Sequence, residues 1–482
     1  MSDSRLAIFA VVLAALYILF GFGLTSTGML GPDEPRYASI GREMARSGDW
    51  ITPRLWGEPW FEKPPLLYWM TALGFRLGLD ENLAPRLPVA LTSVGFLFFF
   101  CWCLRGQFGL RAALYSTVIL GTSAGWLAFS YVGATDLPMS ATFSAAMLLA
   151  IRCSTEGRKL CLIVAGALLG LAVLAKGLVP LVLAAPLVCL SWMRCRGIVR
   201  FGAFVAFLAV AVPWYLICFQ RNGMVFIKTF FWEHHFGRFA SEALQHVQPA
   251  WFYLPVLAAG LFPFTPALIL LFRRSLCSDR RRVLLLWWLV WGMVFFSAST
   301  NKLPGYILPL LPPAAALMGV SLAEARHARW ILAAVAAMLA GVGPLGKLLP
   351  QALASGLSRS ALPAFQFWWL LPIALTALVW WLEKSARRDA AVFAIAAGFA
   401  VCVLAFKWSV LPELDRVASA RPTWVRVRDQ RDQVCLEDIH RNWRYGLNYY
   451  SAVPLPACLD TPRPIHVTED SDEALLVTGG SQ

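Results

Sequence analysis

The chain has 482 residues, 58% of them hydrophobic and only 15% charged, and its net charge is +14. That is too apolar for a soluble protein and too long for one membrane hairpin, so an all-α polytopic membrane protein is expected. Lys and Arg in the short loops between apolar stretches report which side of the membrane is cytoplasmic, so the basic balance is read as topology and not as a nucleic-acid partner.

Thirteen stretches approach the roughly 20 residues that a helix needs to cross a hydrocarbon core. They lie near 6–28, 84–103, 112–132, 137–151, 160–175, 177–192, 201–219, 251–272, 283–299, 307–323, 330–347, 364–382 and 390–408. The loop cations Arg105 and Arg111, Arg152, Arg158 and Lys159, Arg194, Arg196 and Arg200, Arg273, Arg274 and Arg280 to Arg282, and Lys384, Arg387 and Arg388 then share one side. That side is cytoplasmic and holds nearly all of the net charge. The N-terminus is expected inside. An odd number of crossings puts the tail outside, which is the periplasm if the cell has two membranes. Arg5 is the only early positive charge and no clear cleavage pattern follows, so the first stretch is read as a retained helix. The expected units are a transmembrane part, 1–408, and a small outside α/β domain, 409–482.

The loop 29–83 holds the densest cluster of mixed charge, Asp33-Glu34-Pro35-Arg36-Tyr37, then Arg54, then Glu62-Lys63-Pro64-Pro65. Ionisable groups beside a bilayer are costly unless paired or used, so the cluster reads as a functional site. Tyr37, Ile40, Gly41 and Met44 recur at helical spacing opposite Arg42, Glu43 and Arg46, which predicts an amphipathic interfacial helix. A second, more hydrophobic one is predicted from Leu66 to Leu79. Pro64 and Pro65 suit its start, and Lys63 stands at its amino end, where an anion is also favoured.

Farther along, Asp136 opens the fourth stretch, where capping is the simpler role and a joint role with Asp33 the functional one. Lys176 sits between two stretches, where snorkelling to the interface is the simpler role. The second outside loop, 220–250, contributes Glu233-His234-His235-Phe236-Gly237-Arg238, and the third contributes Lys302 and Tyr306. Nine of the eleven cysteines lie in or beside apolar stretches and read as small apolar fillers. Cys435 and Cys458 lie in the outside tail, where two thiols usually pair, so a disulfide is expected. Strand-like runs at 433–436 and 465–467 flank a predicted helix near 443–451.

Two acids, Asp33 and Asp136, thus face a shared set of cations, Arg36, Lys63, Lys176, Arg238 and Lys302, together with Tyr306. Converging cations suit a phosphate-bearing substrate, and a carboxylate among them suits a general base. A hydroxyl acceptor and a phosphate leaving group fit these parts. Glu62 with His234 or His235 could hold a divalent metal such as zinc, but no helical His-x-x-x-His spacing joins them. No cofactor is therefore required.

The same residues carry a resemblance. Asp33-Glu34-Pro35-Arg36-Tyr37, Gly48-Asp49-Trp50, Pro53-Arg54, Phe61-Glu62-Lys63-Pro64-Pro65-Leu66 with Tyr68-Trp69, Lys176-Gly177, and Lys302-Leu303-Pro304 with Tyr306 to Pro309 resemble the lipid A aminoarabinose transferases. These are membrane glycosyltransferases related to the protein O-mannosyltransferases. The resemblance implies a GT-C type fold and a sugar donor carried on a polyprenyl phosphate, used at the outer face of the inner membrane on a glycolipid such as lipid A. It makes Asp33 the catalytic carboxylate, Asp136 a second essential acid, and Lys63 and Arg36 binders of the donor phosphate. Lys176, Lys302 and Tyr306 would line the donor site, with Tyr37, Arg54 and Arg238 beside them. Pro35 stands where Thr or Ala is more usual, and the tail is short. The competing readings are a protein O-mannosyltransferase, which the same acidic motif could serve, and a lipid flippase or transporter. The latter would place its ionisable groups at the bilayer midplane and often show repeated halves.

Overall fold

A chain segment that cannot reach water must close its backbone hydrogen bonds within itself, so long apolar runs become helices. In the computed structural model, residues 3–192, 197–237, 247–356, 360–470 and 474–479 are described. Helix α1 (Asp3–Leu16) continues as a π-helical turn, Tyr17–Gly21, and the first loop carries α2 (Asp33–Ser47) and α3 (Leu66–Arg76). Then come α4 (Leu83–Phe108), α5 (Leu110–Gly121), α6 (Ala124–Ser130), α7 (Asp136–Glu156), α8 (Lys159–Lys176), α9 (Val179–Trp192) and α10 (Gly197–Ile227). The second half contains α11 (Tyr253–Gly260), α12 (Arg280–Ala298), α13 (Leu311–Glu324), α14 (Arg329–Met338), α15 (Val342–Ser355), α16 (Leu371–Lys384) and α17 (Arg388–Ala418).

The protein is a multi-pass membrane protein. Among the described residues eight helices are long and apolar enough to cross, or ten if two bent pairs each count once: α5 with α6, bent by 61°, and Ala250–Gly260 with Thr265–Phe272, bent by 117°. Each of the thirteen predicted stretches contains helix, but the described helices do not bear out thirteen separate crossings. The two central helices are α7 and the run Pro304–Glu324, each with 89% of the residues of its most apolar stretch buried. Both carry predicted site residues at one end, Asp136 and Tyr306.

Helix α2 forms as its spacing predicts, with Asp33 and Glu34 in its first turn and Gly48 ending it in the left-handed region at φ 73°. It differs from the expected interfacial helix in one respect. Arg42, expected on its polar face, is buried, and it donates to the Tyr449 carbonyl at 2.6 Å with its guanidinium over that ring. A tail helix therefore covers α2. Helix α3 packs closely on α2 because Gly41 lacks a side chain: a Cβ there would lie 2.6 Å from Thr71. Between them β1 (Arg54–Leu55) and β2 (Glu58–Pro59) make a minimal hairpin, whose turn Arg54 closes by donating to the Gly57 carbonyl.

The tail holds α18 (Arg421–Val427), β3 (Val434–Leu436), α19 (Arg441–Ser451), β4 (Ile465–Glu469) and β5 (Leu475–Thr478). Strand β4 is central, parallel to β3 and antiparallel to β5. The sequence reading anticipates β3, α19 and β4 but not β5, a short strand with little buried surface. Cys435 and Cys458 are joined in a disulfide, with Cα atoms 4.9 Å apart. It ties β3 to the segment after α19.

One buried ion pair locks these parts together. Arg86, at the start of α4, and Glu34 are 2% and 1% exposed. Arg86 Nε and Nη2 donate to the two Glu34 oxygens at 2.7 Å each, and its remaining N–H groups reach the carbonyls of Leu24, Thr27 and Gly28. Glu34 also accepts from the backbone N–H groups of Leu30 and Gly133. Every donor of the guanidinium is used, and both carboxylate oxygens accept twice. Removing one partner strands a buried charge, which typically costs about 3–5 kcal/mol. Glu34→Ala and Arg86→Ala are therefore each expected to lower the unfolding temperature of detergent-purified protein strongly. Melting curves equal to that of the parent protein would show that the pair is dispensable.

Candidate active site

Asp33 opens α2, one residue before the buried Glu34, so the lock that holds Glu34 also fixes Asp33 in place. Its carboxylate accepts from Arg36 Nη2 at 2.5 Å, one turn along, yet its side chain stays 57% exposed. It is oriented and open to a substrate at once. Arg36 Nη2 also pairs at 3.0 Å with Glu62, which is 3% exposed, and Lys63 Nζ lies 3.5 Å from the same carboxylate. Glu62 is thus a buried counter-ion that holds Arg36 and Lys63 side by side.

Aromatic rings box the Arg36 guanidinium. Tyr37 at 5.4 Å, Trp60 at 5.7 Å and Tyr445 at 5.4 Å from ring centroids are within cation–π range. Burial by itself would lower the Arg36 pKa, but the Glu62 and Asp33 carboxylates outweigh it and raise it, so the charge is fixed. Burial pushes the Tyr37 phenol well above its usual range, with the Glu62 charge acting in the same direction. Tyr37 therefore stays neutral and packs against Tyr68.

The second acid lies close by. Gly133 N–H donates to Glu34, and three residues later Asp136 opens α7. Asp136 Oδ1 accepts from Lys176 Nζ at 2.5 Å, and that ammonium lies 5.0 Å from the Tyr306 ring centroid. Gly305 permits this approach, since a Cβ there would be 3.0 Å from Asp136 Oδ1. Asp136, Lys176 and Tyr306 thus meet across three elements, as expected. Phe61, next to Glu62, shares a buried apolar cluster with Leu174, two residues before Lys176.

The other predicted cations fare differently. Lys302 is 5% exposed and gives its protons to the Gln248 and Ser299 carbonyls at 2.8 and 2.5 Å, so it ties the loop 220–250 to the one that carries Lys302. Arg54 serves its own hairpin. Arg238 lies outside the described residues, as do the side chains of His234 and His235. Among the described residues the only group of three or more candidate metal ligands is Cys435, Cys458 and His466, and its two sulfurs are consumed in the disulfide.

Sequence reasoning passed over Arg86, Trp60 and Tyr445, and gave Glu34 no task of its own. Arg86 carried a usable signal, because a charge inside an apolar stretch seldom stands without a partner. Tyr445, some 400 positions from Arg36, carried none.

Comparison with known proteins agrees with the motif resemblance. The family description for dolichyl-phosphate-mannose-protein mannosyltransferases matches residues 62–217. An undecaprenyl phosphate-alpha-4-amino-4-deoxy-L-arabinose arabinosyl transferase of Pseudomonas savastanoi pv. phaseolicola is 34% identical over 65% of this chain and 61% of its own length. A second, of Pseudomonas fluorescens, is 33% identical over 65% of this chain and 56% of its own. The chain thus spans about three fifths of the length of the curated relatives it matches. The crystal structure of ArnT from Cupriavidus metallidurans bound to undecaprenyl phosphate superposes over 100% of both chains with a TM-score of 0.76, at 23% identity. The fold is the GT-C arrangement of that structure.

The Asp136–Lys176 contact is testable apart from any reaction. In a double-mutant cycle on thermal stability, Asp136→Asn and Lys176→Met are expected to be non-additive by about 0.5–3 kcal/mol. Simple additivity would show that the two groups do not interact.

Proposed function

We propose that this protein is an inner-membrane glycosyltransferase with its N-terminus in the cytoplasm and its tail in the periplasm. It moves a sugar from a polyprenyl phosphate, such as undecaprenyl phosphate, to a hydroxyl or phosphate of an envelope glycolipid. Aminoarabinose and lipid A are the sugar and acceptor that the relatives' names and the first-loop motif favour. The observation that carries the reading is the Asp33 carboxylate, exposed yet held by Arg36, beside the Arg36–Glu62–Lys63 group.

The reaction is a direct displacement. Asp33 accepts the proton of the acceptor as its oxygen attacks the anomeric carbon, and the bond from that carbon to the phosphate oxygen breaks. The electron pair leaves with the polyprenyl phosphate. Lys63 and Arg36 neutralise the departing phosphate, which is worth more at a site partly shielded from water. Glu62 sets the spacing of those two cations. Asp136, Lys176 and Tyr306 line the side of the site facing the sugar. With cations in these positions no divalent metal is needed at the leaving group. The apolar face of α3 beside Lys63 guides the isoprenoid chain into the bilayer.

Purified protein is expected to transfer sugar from a polyprenyl-phosphate donor. Asp33→Asn should lower the rate about 10²–10⁴-fold, as loss of a general base does. Lys63→Ala should lower it about 10²–10³-fold, the usual cost of removing a charge-stabilising group. Normal turnover by Asp33→Asn would remove Asp33 as the base. Substrate flux across sealed vesicles without a new glycosidic bond would replace the enzyme by a transporter.

Metal dependence is a separate test. Chelation is expected to leave most of the activity intact. Complete loss restored by one divalent ion would instead make Glu62, His234 and His235 ligands.

A further inference from the structure

The tail does more than cap the bundle. Helix α19 is fastened to the first loop by two adjacent residues, Tyr449 and Tyr450. The Tyr449 carbonyl accepts from Arg42 at 2.6 Å, the Tyr449 hydroxyl donates to the Glu81 carbonyl, and the Tyr450 hydroxyl donates to Asn82 while accepting from Met29 N–H. Gly446 lets α19 close on the preceding segment, since a Cβ there would lie 2.7 Å from the Ala420 Cβ. The buried side of α19, Gly446 to Ser451, is thereby committed to the interface.

Tyr445 stands just before that side and is not itself used in the fastening. Its ring centroid lies 5.4 Å from the Arg36 guanidinium carbon and 5.5 Å from the Trp56 ring. Two of the three rings that box Arg36, Tyr37 and Trp60, come from the first loop, and the third comes from the tail. Arg36 Nε is buried with no hydrogen-bond partner, while Nη2 is spent on Asp33 and Glu62. A guanidinium so held has one edge fixed on carboxylates and its Nε sealed from solvent, so Nη1 is the donor that remains for an incoming acceptor oxygen. Its planar face needs a wall to keep that donor aimed.

We infer that Tyr445 is a positioning residue for the donor phosphate: the outside tail completes the site by placing this ring against Arg36, so that Arg36 meets a polyprenyl phosphate in a preset orientation. The inference rests on the reading of the site as one for a polyprenyl-phosphate donor. It goes beyond that reading by making the tail part of the binding site. The disulfide that brackets α19 then serves the site as well as the fold of the tail.

The test is donor titration with full-length purified protein. Tyr445→Ala should raise the KM for the polyprenyl-phosphate sugar about threefold to tenfold with kcat nearly unchanged, the scale of losing one cation–π contact. Binding of polyprenyl phosphate alone should weaken by the same factor. Tyr445→Phe should restore most of it, and Tyr445→Leu, similar in bulk but without a π face, should not. If Tyr445→Ala fails to fold, the Phe and Leu pair carries the comparison. Tyr450→Phe, which loses the fastening hydroxyl, should lower the unfolding temperature more than Tyr445→Leu does. Unchanged donor KM and binding in Tyr445→Leu would overturn the inference while leaving the enzyme reading intact. Failure of the parent protein to bind polyprenyl phosphate would overturn that reading first.

Discussion

The buried pair of Glu34 and Arg86 is the constraint on which the rest of this structure depends. A guanidinium and a carboxylate withdrawn from water recover their hydration only if nearly every donor and acceptor is satisfied, and here three carbonyls and two backbone N–H groups complete the set. The pair and its partners come from the loop after the first helix, the start of α2, the start of α4 and the turn before α7. Four chain segments that sequence scatters over about a hundred positions are brought to one point. Asp33 and Asp136 flank that point, so the pair sets the relative placement of both acids without joining the chemistry.

Around it the charges divide into two groups. Asp33, Arg36, Glu62 and Lys63 form a chain of alternating sign in which one acid remains exposed and the other is buried. Asp136 and Lys176 form a tighter pair beside Tyr306. An excess of cation over accessible carboxylate suits an anionic leaving group, and the exposed acid suits removal of a proton. The buried acid keeps two cations from repelling each other.

Much of this was legible in the sequence, for identifiable reasons. Apolar length gave the helices because the bilayer leaves the backbone few alternatives. Helical spacing gave α2, the Pro64-Pro65 start with the apolar run after it gave α3, and sorting the loop charges placed Asp136, Lys176 and Tyr306 on one side, where the structure brings them together. What could not be read was non-local. Arg42 looked like an exposed face until the tail covered it, and Lys302 looked like a substrate cation until two backbone carbonyls claimed its protons. Lys407, near the end of the last apolar stretch, was not singled out in the sequence. It is buried and donates to the Ile18 and Leu19 carbonyls, which the π-helical turn after α1 leaves without helical partners. Bent pairs such as α5 with α6 were likewise hidden, because composition measures apolar length and not the angle between two halves.

The central claim is that the outer-face cluster transfers a sugar from a polyprenyl phosphate to an envelope glycolipid. The most direct measurement is mass spectrometry of envelope glycolipids and polyprenyl carriers from cells with and without the gene. The account predicts that loss of the gene removes one sugar mass from a glycolipid while the corresponding polyprenyl-phosphate sugar accumulates. Identical glycolipid and carrier profiles in the two strains, grown under conditions in which the protein is made, would contradict it.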